Sequence, residues 1–223
     1  MPPRKRYSFL RKQPVYGKSI GGGMEGTIVP VLNRSEKVVH KIFHLPWISQ
    51  RYYMTGNINY ISRLAHSLTE PIRDVQPPKH GKMGLGTVEP KHWEKISFLL
   101  STHSANMASE VKKLGADIPK VFRPVAVKGK SGHFWAIEMS DLRRRGKVLV
   151  NGESIQKYGS MPLEIRTRII ERMKALEERI ISIGYRYDYR HPKFGSWIVR
   201  FDPRTRKYEI FFSDPTNWAY MDR

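Results

Sequence analysis

The residues best suited to chemistry begin with Gly21, Gly22, Gly23 and Gly26, followed at Lys41 by an amine in the segment Val-Val-His-Lys-Ile-Phe. Gly21, Gly23 and Gly26 satisfy G-x-G-x-x-G, a spacing that lets backbone approach phosphate oxygens and adopt positive φ where a side chain would obstruct both. Lys41 adds a point charge one hairpin downstream, so the arrangement reads as a holder for nucleotide phosphates. Thr27 to Leu32 is apolar and β-branched, so the loop joins two strands, whereas a dinucleotide-binding βαβ unit would open a helix there.

These groups need elements to position them. A helical pattern starts at Lys91, with Trp93, Ile96, Leu100, His103, Met107, Val111 and Leu114 recurring at spacings of three and four, and Gly115 closes it as a C-cap. Glu110 lies on that apolar stripe, where an unpaired carboxylate is costly. Val121 to Val127 and His133 to Met139 read as strands joined through Lys128-Gly129-Lys130-Ser131-Gly132, and Asn151-Gly152 marks a short hairpin in the following connector. A second helix runs from about Pro162 to Gly184, and Trp197 to Phe201 and Tyr208 to Phe212 are the last two strands. Asp188 follows the second helix in a loop, and Asp214 lies just past the final strand.

With 223 residues and 39% hydrophobic content, the chain can build one large domain or two small lobes. The net charge of +20 predicts attraction to nucleic acid, acidic protein patches or phosphorylated ligands. Residues 1 to 18 carry six Lys or Arg and no acid, which defines a basic arm over 1–15. The absence of cysteine removes disulfides and thiolate metal sites and fits an intracellular location. No apolar run approaches the roughly 18 residues that span a bilayer, and Arg4-Lys5-Arg6 is not followed by the apolar core of a signal peptide. His40 and His44 share a strand face with no third ligand nearby, so a zinc site is not expected.

Read in order, the chain gives strand, glycine loop, strand, strand with lysine, helix with Glu110, two strands, connector, helix, loop with Asp188, two strands and Asp214. That order resembles the protein-kinase superfamily over about residues 16 to 217. The resemblance implies an α+β, bilobal protein-kinase-like fold. Its N-lobe, residues 16–139, would be an antiparallel sheet with one main helix and an inserted segment at 44–90. Residues 140–223 would form the connector and a truncated, mostly helical C-lobe.

It also implies roles. Lys41 would bind the α- and β-phosphates and pair with Glu110, and Asp188, in Tyr185-Arg186-Tyr187-Asp188, would accept the substrate hydroxyl proton. Arg190 would neutralise charge on the transferred group. Asp214, in Phe211-Phe212-Ser213-Asp214-Pro215, would hold magnesium, with Ser196 and Asn217 as further metal ligands. The segment with Glu138 and Ser140 would meet the adenine edge.

The sequence departs from the family where Arg186 and Tyr187 replace its His and Arg, where Lys193 stands at its magnesium asparagine, and where Pro215 follows Asp214. Only nine residues follow Asp214. The expectation is a minimal, constitutively assembled serine/threonine protein kinase using ATP and Mg2+. It would act on a hydroxyl of a protein substrate, similar in plan to the compact kinases that pathogens and viruses deploy in host cells. A catalytically weak pseudokinase, a small-molecule or lipid phosphotransferase, and a basic nucleic-acid-binding protein without catalysis are the rival readings. The last rests on charge and on eleven tyrosines available for stacking.

Overall fold

Strand periodicity, strong on both sides of the glycine loop and again around Ile137, assembles the first part of the molecule. In this computed structural model the described residues are 13–22, 26–43, 90–129, 132–187 and 194–220. The chain divides into two compact units, Met1–Ala105 with Val121–Ser140, and Asn106–Lys120 with Asp141–Arg223. Residues 106–120, Glu110 among them, thus group with the second unit.

In the first unit, strands β1 (Gly21–Gly22), β2 (Gly26–Val31), β3 (Val38–Phe43), β4 (Phe122–Gly129) and β5 (Gly132–Ser140) form one antiparallel sheet in the order β1-β2-β3-β5-β4. Register places Lys41 between Ile28 and Ile137, and His40 between Val29 and Glu138. Because strand side chains alternate, the two neighbours Lys41 and His40 occupy opposite faces. On the Lys41 face, Val39, Phe43, Ile137 and Met139 pack with Leu100 of helix α1 (Pro90–Lys113). The Trp135 backbone N–H donates to Ser97 Oγ at 2.9 Å and ties that helix to β5. On the other face Val125, Val127 and Ala136 pack with Tyr16, Ile42 and Phe134. Tyr16 comes from a segment that runs beside β2, where Leu32 N donates to Val15 O and Gly17 N to Pro30 O.

The second unit is built around aromatic rings. Helix α2 (Leu163–Ser182) buries Ile169, Met173, Leu176 and Ile180, a three-to-four spacing that makes one continuous apolar stripe. That stripe and Met107 and Val111 of α1 enclose Trp197, Phe212 and Trp218, all but inaccessible to solvent. Strands β6 (Val148–Asn151), β8 (Trp197–Phe201) and β9 (Tyr208–Phe212) form a sheet in the order β6-β8-β9, while β7 (Tyr185–Tyr187) pairs with β10 (Trp218–Tyr220). Gly115 ends α1 in the left-handed region at φ 91°, with the Ala116 N–H returning to Val111 O.

Two expectations are corrected here. Asn151-Gly152 forms no hairpin: Asn151 caps a 3-10 helix over Gly152–Lys157 through its side chain, and its strand pairs with β8. Asn fits a cap as well as a turn, because its side-chain oxygen can accept a free backbone N–H in either setting. The second unit is also not mostly helical: among the described residues of 141–223, α2 is the one α-helix, beside five strands. Short β-branched and aromatic runs such as Val148-Leu149-Val150 and Tyr185-Arg186-Tyr187 supply the extra strands. The described architecture is mixed α and β, with antiparallel sheets and few helices.

Candidate functional site

In the first unit the hairpin β2–β3 brings a glycine against the lysine. A Cβ placed on Gly26 would lie 2.6 Å from Ile42 O and 3.4 Å from Lys41 Cε, so bare backbone here is what lets the two strands approach so closely beside the lysine. Lys41 is 5% exposed, and its ammonium stands 5.6 Å from the Phe43 ring centroid two residues along the same face. Gly21 and Gly22 form β1 opposite Ile28 and Thr27, and nothing lies within 4 Å of a Cβ on Gly21. Gly23 lies outside the described residues. The described part of the loop therefore offers unobstructed backbone at one end and a largely buried cation at the other.

The opposite face of the sheet holds a polar cluster that the sequence reading missed. Glu138 is 1% exposed and His40 0%. An ionised carboxylate can only accept, so His40 Nε2–H donates to Glu138 Oε2 at 3.2 Å, and the Tyr16 hydroxyl lies 2.9 Å from His40 Nδ1. Arg123 reaches Glu138 Oε1 with two nitrogens, at 2.9 and 2.6 Å, and Arg34 Nε stands 3.7 Å from Oε2. Burial alone would raise the Glu138 carboxyl, but the hydrogen bonds from His40 and Arg123 and the Arg123 charge outweigh it and lower its pKa to about 2. Burial, and then the Glu138 charge, push the Tyr16 hydroxyl well above its ordinary value.

The resemblance assigns the adenine edge to backbone groups of the segment that holds Glu138. The Glu138 side chain lies on the face away from Lys41 with its carboxylate held by His40 and Arg123, while its backbone sits in a central strand between those two residues. Ser140 closes the strand, exchanging bonds with Val121: its Oγ accepts from Val121 N at 2.9 Å and its N–H donates to Val121 O at 3.0 Å. The signal available in the sequence was His40 itself, a polar residue beside Lys41 on a strand whose two faces both need cover.

In the second unit β8 and β9 bring Ser196 and Asp214 together, because Ser213 N and Asp214 N both donate to Ser196 O, at 2.9 and 3.2 Å. Asp214 is half-buried and caps the 3-10 helix Pro215–Asn217, its Oδ1 accepting from Thr216 N at 3.3 Å and from the Thr216 hydroxyl. Asn217 is the last residue of that helix. Ser196 is 1% exposed and its hydroxyl accepts the Trp218 indole N–H at 3.0 Å, which gives it a structural duty beside any role toward a ligand. Glu110 bonds Lys113 on its own helix at 2.7 Å. Asp188 and Arg190 fall outside the described residues, which resume at Phe194 with a positive φ of 75°. Its carbonyl would be 2.5 Å from a Cβ on Gly152, so Phe194 packs directly on glycine backbone.

Asp214 offers a half-buried carboxylate with one oxygen already oriented by Thr216. Among the described residues no group of three or more His, Asp or Glu could hold a metal ion. No described helix is long and apolar enough to cross a membrane.

No protein-family model matches the chain, and no curated protein matches it. Among solved structures it is similar to a proinflammatory kinase, CtkA, of Helicobacter pylori, at a TM-score of 0.47 and 13% identity. The match covers 93% of this chain, which spans 60% of the length of that one. A likeness of that size carries no argument about activity.

Proposed function

We propose that this chain is an ATP-dependent phosphotransferase that moves the γ-phosphoryl group to a hydroxyl, acting as a minimal serine/threonine protein kinase. The observation that carries the reading is the placement of Gly26 and Lys41 in paired strands, the amine largely buried one hairpin after the glycines. An ammonium on a strand beside such a loop is a compact point charge suited to triphosphate oxygens. Backbone N–H groups of the Gly21 to Gly26 loop would hold the phosphates from above. Asp188 would orient the acceptor hydroxyl and take its proton, Arg190 would offset charge on the transferred group, and Glu110 would orient Lys41.

Asp214 would hold magnesium, with Ser196 and Asn217 completing the donor set. A magnesium ion held there would supply positive charge to offset that of the phosphates. Thr216 keeps one Asp214 oxygen fixed, so this carboxylate is pre-oriented rather than recruited.

The test is transfer of label from γ-labelled ATP by the wild type, Lys41→Ala and Asp188→Asn. Loss in both variants is expected. Unchanged rates in both would remove the mechanism, and loss in Lys41→Ala alone would leave nucleotide binding without catalysis.

A further inference from the structure

One end of the sheet in the second unit carries a concentration of positive charge that the phosphotransfer reading does not use. Val148, Phe201 and Tyr208 are in register across β6, β8 and β9, so the connector before β6 and the turn between β8 and β9 emerge side by side. Asp202 fixes them together: Oδ1 accepts from Arg204 N at 3.0 Å and Thr205 N at 3.3 Å, and Oδ2 accepts from Lys147 of the connector. Lys147 N donates to Arg144 O at 3.0 Å and closes the connector's own turn, with Gly146 at φ 74°.

All three carboxylates in these segments are committed. Asp141 holds Arg143, Asp202 holds Lys147, and Glu209 takes the Arg200 guanidinium at 2.7 Å on each oxygen. Those hydrogen bonds from Arg200, and after them the charges of Arg200, Lys147 and Arg144, hold the Glu209 carboxyl below its ordinary range against its partial burial. Arg144, Arg145, Arg204, Arg206 and Lys207 remain. All five are exposed and have no carboxylate partner among the described residues.

We propose that this end of the second unit, where the turn at Arg144-Arg145 lies beside the turn at Arg204 to Lys207, binds the phosphate backbone of double-stranded nucleic acid. Four of the five unpaired cations are arginines, whose planar fork matches phosphate oxygens in pairs. Neither turn exposes an aromatic ring, which removes the stacking platform that single strands need. Nor do the exposed large hydrophobics of the described residues, such as Leu32, Leu163 and Ile181, fall in either turn, so the apolar centre of a protein interface is missing. The inference is independent of the phosphotransfer reading and holds whether or not the chain turns over ATP.

The experiment is fluorescence anisotropy of the full chain on labelled duplex RNA and duplex DNA of one sequence, from 50 to 200 mM salt, with magnesium and nucleotide absent. A log–log salt slope of about −3 to −4.5 is expected, since each phosphate contact on a duplex contributes about −0.9. Replacing Arg144, Arg145, Arg204 and Arg206 together by Ala, and separately by Gln as a milder set, should weaken binding at least tenfold and flatten the slope by about 3. The control replaces Lys112, Lys120, Arg172 and Lys174, also exposed, and should cost far less.

Equal losses in the patch and control sets would overturn the proposal, because they would show net charge acting without a site. Displacement of the duplex by polyglutamate at equal charge concentration would also overturn it, in favour of an acidic protein. Preference for vesicles of phosphatidylserine and phosphatidylcholine over either duplex would do so in favour of a membrane surface. Tighter binding of one duplex than the other identifies RNA or DNA as the source of the phosphates and supports the proposal.

Discussion

Replacing Glu138 by Gln removes a charge and leaves the shape, which makes it the sharpest probe of the cluster behind Lys41. In the folded chain the carboxyl has a pKa of about 2, against an ordinary 4.5. Each unit of such a difference is worth about 1.4 kcal/mol, so the ionised form contributes roughly 3 kcal/mol. The Arg123 side chain is 57% exposed, and solvent screening at that end reduces the figure to about 2 kcal/mol. Glu138→Gln also strands Arg34, whose Nε and Nη2 are already buried without a hydrogen-bond acceptor.

The assay is urea unfolding of wild type and Glu138→Gln from pH 7 to pH 3. Because the folded pKa is depressed, the stabilisation is complete above the unfolded value near 4.5 and is lost as pH falls from about 5 toward 2. The gap between the two proteins should therefore be about 2 kcal/mol at pH 7 and narrow steadily below pH 5. A gap under 0.5 kcal/mol at neutral pH, on the order of an ordinary surface change, or one that does not vary with pH, would refute the reasoning.

Other substitutions probe the two units separately. Gly26→Ala drives a Cβ to 2.6 Å from Ile42 O, so the β2–β3 hairpin must shift; a loss of about 1–3 kcal/mol is expected by thermal unfolding, together with weaker ATP protection. Gly152→Ala meets the Phe194 carbonyl at 2.5 Å and should cost a similar amount by thermal unfolding. Ile169→Ala empties a fully buried position in the core that also holds Trp197 and should destabilise the second unit by about 2–5 kcal/mol in denaturant unfolding.

Strands and helices with a strong period were legible in the sequence. The stripe from Trp93 to Val111 lies in helix α1, with Leu114 just past its end, and Trp197–Phe201 and Tyr208–Phe212 are strands with the bounds expected. Gly115 and Gly184 mark chain reversals that only positive φ allows, which is why glycine there was informative. Long-range choices were not legible. Whether Val148-Leu149-Val150 folds back on itself or joins β8 depends on an apolar partner some fifty residues away, and Asn151 serves as a turn residue or as a cap equally well. Likewise nothing local assigns Glu138 to the His40 face, since that follows from the register between β3 and β5. The glycine and lysine of the candidate site were legible because their spacing is local, one hairpin apart. Asp214 was legible as a residue past a strand, but its bond to Thr216 was not.

The phosphotransfer reading is tested most directly by the turnover rate of the full chain with γ-labelled ATP, magnesium and a hydroxyl acceptor, wild type beside Asp214→Asn and Asp188→Asn. The account predicts label on a serine or threonine with the wild type. It predicts a fall of about 100-fold or more in each variant while ATP still protects both from unfolding. Equal rates in all three proteins, or a wild type that binds ATP and labels no acceptor, would contradict it.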